Sequence, residues 1–117
     1  MKLKEIVKLL NAKVLTKGAD LEMEVRAGGA ADLMSDVLAL SKPRTILLTG
    51  LTTPQAIYTA EMAGISAICI VRGKPCPEEV IKMAEEKGIV LISTNYHMYD
   101  SSGILYSNGL PGEANLK

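Results

Sequence analysis

TILLTGLTTPQAIYTAEMAGISAICIVRGKPCPEEVIKMAEEKGIVLIST, residues 45–94, decides the fold. Its first five residues, Thr45 to Thr49, have the continuous apolar centre of a buried strand. Thr53-Pro54 then opens a helix over 53–63, with a hydroxyl at the cap and proline at the first helical position. Ala56, Ile57, Ala60 and Ala63 give this helix a stripe of small residues, and Gly64 stops it. Ala67 to Val71 is the most apolar strand and is placed at the centre of the sheet. Pro77 to Lys87 reads as a second helix. Glu78 and Glu79 sit at its positive end and Lys87 at its negative end, while Val80, Ile81 and Ala84 face inward. Gly88 ends it, and Val90 to Ser93 forms the next strand. Strands separated by single helices imply parallel pairing, because a parallel neighbour is reached only through a crossover. The expected fold is therefore α/β: a small, mainly parallel β-sheet flanked by helices.

Toward the N-terminus, residues 2–11 show Leu3, Ile6, Val7 and Leu10 at helical spacing, with lysines on the other side. Lys13 to Thr16 predicts a short strand. Leu21, Met23 and Val25 alternate with Glu22 and Glu24, which predicts a strand with one wet face. Gly28-Gly29, within Arg26 to Ala30, predicts a loop. Its arginine and free amides are a candidate anion contact, although such a pair more often only turns the chain. A short helix over 36–40 is capped by Ser35, with Asp32 in an earlier turn as the alternative, and Pro43 ends it. Toward the C-terminus, residues 95–107 predict a last helix with Tyr99, Leu105 and Tyr106 on one side, despite Gly103, which costs about 1 kcal/mol relative to alanine. Gly109 to Gly112 breaks the pattern, so the chain is read as one domain over 1–117 with 110–117 as a loose tail.

Composition narrows the function. Of 117 residues, 48% are hydrophobic, yet Phe and Trp are absent, so the core must be aliphatic. Thirteen basic residues balance thirteen acidic ones, which argues against a nucleic-acid binder and mildly favours a homo-oligomer, a dimer in the simplest case. Two cysteines make no disulfide framework, and no apolar run is long enough to span a membrane. A cytoplasmic setting is expected. No Walker phosphate loop, dinucleotide fingerprint, C-x-x-C pair or H-E-x-x-H helix occurs. No cofactor and no metal site is expected. Asp32 and Asp36 lack the further ligands a metal would need.

Ligands of open parallel sheets sit beyond the carboxyl ends of the strands. Three loops qualify. Thr49, Gly50, Thr52 and Thr53 lead into a helix N-terminus whose hydroxyls and amides suit a carboxylate or phosphate. Arg72, Gly73 and Lys74 put two cations after the central strand, and Thr94 follows the last strand. Taken singly, the threonines are ordinary caps and the cations ordinary solvated side chains. Convergence at one edge is what would make them an anion site. Two other residues merit a catalytic reading. Cys76 would be a reactive thiol if Lys74 and the following helix N-terminus lowered its pKa, and His97, the only histidine, would be a proton shuttle.

Ile68-Cys69-Ile70-Val71-Arg72-Gly73-Lys74-Pro75, the Pro77-Glu78-Glu79 helix start and Ile89 to Thr94 resemble the DRTGG domain family, as does Leu33 to Leu38. The chain is also similar to the N-terminal domain of bacterial HPr kinase/phosphorylase. The resemblance covers the chain from about Val14 onward. The string that names the family is absent: Leu48-Thr49-Gly50-Leu51-Thr52 carries a glycine and threonines instead. The resemblance implies a domain similar to the N-terminal domain of Mur ligases, found beside CBS domains, with a regulatory or interaction role in place of catalysis. Short members are associated with iron-only hydrogenase systems. The expectation is thus a non-catalytic regulatory module, not an enzyme, that binds a small anionic ligand (nucleotide or carboxylate) or a protein partner. The alternative is a small enzyme working through Cys76 or His97.

Overall fold

The computed structural model describes residues 1–115. Among these, five strands form one sheet in the order β1-β5-β4-β3-β2. The elements in chain order are α1 (Leu3–Leu9), β1 (Lys13–Val14), β2 (Ala27–Ala30), α2 (Met34–Leu40), β3 (Thr45–Thr49), α3 (Pro54–Ala63), β4 (Ala67–Ile70), α4 (Glu78–Glu86), β5 (Val90–Ser93) and α5 (Met98–Ser107). β2 to β5 are parallel, and β1 closes the far edge antiparallel to β5.

Each crossover from β2 to β5 advances one place in the same direction. Crossovers of one hand must then lay α2, α3 and α4 on the same face. That face holds Leu47, Ile68, Ile70 and Leu91 against Val37, Ile57, Ala60 and Val80. The alternate strand residues Ile46, Leu48, Cys69, Val71 and Ile92 point the other way, against Leu3 and Ile6 of α1, Leu10 at its C-terminal cap and Leu105 of α5. Both faces are covered, which explains why β3 and β4 are apolar without interruption.

Two expected features change. Leu21 to Val25 is not a strand. Leu21 and Met23 are half-buried and Val25 buried, so the alternation is real in burial. The backbone, however, turns at 21–22, and the carbonyls of Leu21 and Met23 accept from the amides of Lys4 and Leu3 at the start of α1. Free helix amides, not a sheet, take these acceptors. Conversely, Gly28-Gly29 is not a loop but the middle of β2, in parallel register with Ile46 and Leu47. The Gly28 amide donates to Pro111 O at 2.9 Å, so it is not free for the anion contact read at Arg26 to Gly29.

The expected loose tail is also overturned as far as Asn115. Leu110 is buried and packs over Gly28 on one face of β2. Gly112 pairs with Gly28 along the edge, and Glu113 lies against Gly29 on the opposite face. The segment thus wraps the sheet edge. A Cβ at Gly29 would stand 2.6 Å from a Glu113 carboxylate oxygen, so any larger residue would have to push the Glu113 side chain aside. Residues 116 and 117, part of the same expected tail, lie outside the described residues. Among the described residues no helix is long and apolar enough to cross a membrane.

Candidate functional site

The carboxyl ends of β2, β3, β4 and β5 meet at one rim. β4 leads to α4 on one face and β5 to α5 on the other, so the loops after β4 and β5 part there. In open α/β sheets this is where a crevice opens. Here backbone bonds seal it: Arg72 N donates to Tyr96 O at 2.8 Å and Gly73 N to Thr94 O at 2.9 Å. Arg72 and Gly73 both adopt left-handed backbone angles, φ 66° and 63°. For arginine this conformation is strained and held by its surroundings. A side chain at Gly73 would collide with the Asn95 amide oxygen, 2.7 Å from its Cβ.

The turn sends the Arg72 side chain back toward β3. A Cβ at Gly50 would lie 2.6 Å from Arg72 Nη2 and 3.6 Å from Asp32 Oδ1. The guanidinium therefore covers the bare backbone of Gly50. Asp32, in the loop after β2, holds the same spot from the other side. Its Oδ1 accepts from Gly50 N at 2.7 Å and from Thr49 Oγ1 at 2.9 Å. The Gly50 amide is the main cause that keeps the Asp32 carboxyl below the usual carboxylate range. Partial burial opposes it, while Thr49, Arg72 and Lys74 add to it. The Leu51 amide in turn donates to Thr49 Oγ1 at 3.2 Å.

The threonine turn and the arginine–lysine turn are brought together, as the topology requires, but they divide by role. The Thr49 hydroxyl is fully buried and bonded within the chain. Thr94 is equally committed: it is buried, donates to Leu10 O at 2.7 Å and accepts from Tyr96 N at 3.2 Å. Gly50 is buried with its amide engaged. Thr53 stands at the cap of α3 without a side-chain cap bond, contrary to the hydroxyl cap expected there. Nor does Ser35 cap α2, which begins after Leu33 with no side-chain cap bond. Thr53, Arg72 and Gly73 are exposed, and Thr52 and Lys74 half-buried. The accessible part of the rim is thus Thr52, Thr53, Arg72, Gly73 and Lys74, with Asp32 beside them.

The catalytic alternatives lose support. Cys76 is half-buried against the α3–α4 side, and burial pushes its thiol pKa up instead of down. Cys69 is buried, its thiol pushed up to about 12. A less populated thiolate is a poorer nucleophile at neutral pH. His97 is exposed at the cap of α5. Among the described residues no three His, Cys, Asp or Glu side chains come together as metal ligands do.

The fold is thus an α/β domain, a mainly parallel sheet whose carboxyl-end rim is polar and carries cations. The family is explicit in sequence: a family model of the DRTGG domain matches residues 5–107, and the chain belongs to that family. Among solved structures it is similar to the CBS and DRTGG domains of the regulatory region of Clostridium perfringens pyrophosphatase, determined in complex with the activator diadenosine tetraphosphate. The TM-score is 0.76 at 17% identity, over 99% of this chain and 50% of that one. The chain thus spans half the length of that structure and shares the fold of the half it matches. No curated protein sequence matches it.

Proposed function

We propose that this DRTGG domain is a non-catalytic regulatory module that binds a small phosphorylated or carboxylated ligand at the rim formed by Thr52, Thr53, Arg72, Gly73 and Lys74. One observation carries the reading: the Arg72 guanidinium lies over Gly50, drawn there beside a carboxylate, Asp32, that already uses the Gly50 amide and the Thr49 hydroxyl. On this reading the Gly50 amide and the Thr49 hydroxyl are an anion-binding pair that the chain's own carboxylate occupies. An incoming ligand would pair with Arg72 and Lys74 and take the amides at the start of α3. A phosphate offers more acceptor oxygens than Asp32 does, so it could share that pair of donors or displace the side chain. Thr94 supports this site from beneath, whereas the Thr49 hydroxyl and the Gly50 amide would reach the ligand only where it displaces Asp32.

The similar pyrophosphatase region is bound to a dinucleoside polyphosphate, which favours nucleotides as first probes. Kinship with the N-terminal domain of HPr kinase/phosphorylase, expected from the sequence, is part of the proposal only. The association with iron-only hydrogenase systems finds no support in the comparisons and forms no part of the proposal. A cytoplasmic setting and a homodimer remain part of it.

The test is titration calorimetry with ATP, diadenosine tetraphosphate, pyrophosphate and citrate on the wild type and on Arg72→Ala and Lys74→Ala. Binding that weakens about tenfold or more in each variant supports the site. Binding that both variants retain unchanged, or no heat from any probe, defeats it.

A further inference from the structure

α5 carries a feature that neither the core nor the rim uses. Gly103 stands at mid-helix on the solvent side, where glycine is the poorest helix former after proline. Apart from its own helix backbone, nothing among the described residues lies within 4 Å of where its Cβ would be, so no contact among them excludes a side chain there. Ser101 and Leu105 turn inward, and the face opposite them is centred on Gly103. Tyr99 and Tyr106 flank it at 89% and 68% exposure, two of the most exposed large apolar side chains of the molecule. Together with Ser102 and Ser107 they frame an open hollow over the bare helix backbone.

We infer that this hollow is the centre of a homodimer interface in which α5 of one copy crosses α5 of a second copy antiparallel at Gly103. The shape is self-complementary, as a two-fold interface must be. An axis through Gly103 sets residue 99 of one helix opposite residue 107 of the other, so Tyr99 meets Tyr106 of the second copy, and the reverse contact follows by symmetry. Two aromatic pairs then bracket a close approach that only glycine permits. Helices approach within 8–10 Å depending on the side chains at the crossing.

Charge favours the same occupant. Asp100, which lines the hollow, is the only Asp, Glu, Lys or Arg between Asn95 and Pro111, with His97 at the cap of α5, so the face carries little charge, as is typical of interface centres. Beyond the end of α5, Asn108 lines a second surface hollow with Glu5, Lys8 and Leu9 of α1. The same two-fold carries Asp100 toward this end of the second copy, where Lys8 is its partner. A standard interface buries about 800 Å² per partner. That is about an eighth of this chain's 6288 Å², and the α1 end of the face extends the area beyond α5 alone.

The test uses the full chain in sedimentation velocity. The wild type is expected to be a dimer at about 100 µM, and Gly103→Gln to weaken the dimer about tenfold or more while the melting temperature of the monomer does not fall. In a Cys76→Ser background, Gly103→Cys should cross-link to itself under mild oxidation, and Glu86→Cys on α4 should not. A monomeric wild type, a dimer indifferent to Gly103→Gln, or equal cross-linking at both positions would each overturn the interface. None of these outcomes depends on ligand binding at the rim.

Discussion

Asp32 shows how one side chain can govern a site that its neighbours seem to define. One carboxylate oxygen accepts both the Gly50 amide and the Thr49 hydroxyl. Asp32→Ala leaves both donors without that partner and should cost about 1–2 kcal/mol, whereas Asp32→Asn keeps an acceptor oxygen and should cost less. Urea midpoints measure both. The sign of the pH dependence follows from the depressed pKa. The folded state holds the charged form, so its contribution is present above the ordinary value of 3.8 and is lost as pH falls through the lower folded value. The gap between wild type and Asp32→Asn should therefore be full at pH 6 and close below 3.8. A gap that persists in acid would mean that charge is not what Asp32 contributes. If phosphate competes with this carboxylate, Asp32→Asn should also bind pyrophosphate more tightly than the wild type.

At the scale of elements, the wrapped edge of β2 is the least expected part of the molecule. Glu113 lies over Gly29 with Oε1 buried and without a hydrogen-bond partner among the described residues. Burial pushes its carboxyl pKa up, with Thr45, Ser41 and Lys42 acting against it. A raised carboxyl pKa means that the folded state favours the protonated form, so stability is lost as pH rises from 4.5 through the folded value. Glu113→Gln should thus raise the urea midpoint at pH 7, with the gain vanishing below 4.5. A loss at pH 7 would show instead that an ion pair with Lys42 outweighs burial.

This region also explains what could be read in advance. β3, β4 and β5 were legible because strands buried on both faces are apolar without interruption and are punctuated by Pro54, Gly64, Pro77 and Gly88. β2 was not legible: Ala-Gly-Gly-Ala has no strand propensity, and its glycines answer to Leu110 and Glu113, more than eighty residues away. Missing β2 hid Asp32, whose place at the carboxyl end of a parallel strand is invisible if that strand is read as a loop. Arg72 and Lys74 were legible because they follow the most apolar strand directly.

Across the whole molecule, stability should grade from the middle of the sheet outward. β4 has a parallel neighbour on each side and core on both faces, and all four of its residues are buried. β1 is a two-residue edge strand with one neighbour, and Lys13 is exposed. Native-state hydrogen exchange should place Ile68 and Cys69 near the global unfolding free energy, on the order of 10 kcal/mol for a chain of this length, and Val14 well below it. The grading bears on the rim. Arg72 follows β4 within two residues, and its amide is tied to the loop after β5, so its strained turn rests on the most stable strands. Asp32 instead follows β2, an edge strand that depends on the wrap of Leu110 to Glu113. The cations should therefore be fixed while the carboxylate is free to yield, the arrangement an exchange of Asp32 for a ligand requires. Equal protection of the Ala31 amide, which donates to Leu48 O of β3, and the Ile70 amide would remove that asymmetry and argue for a carboxylate locked in place.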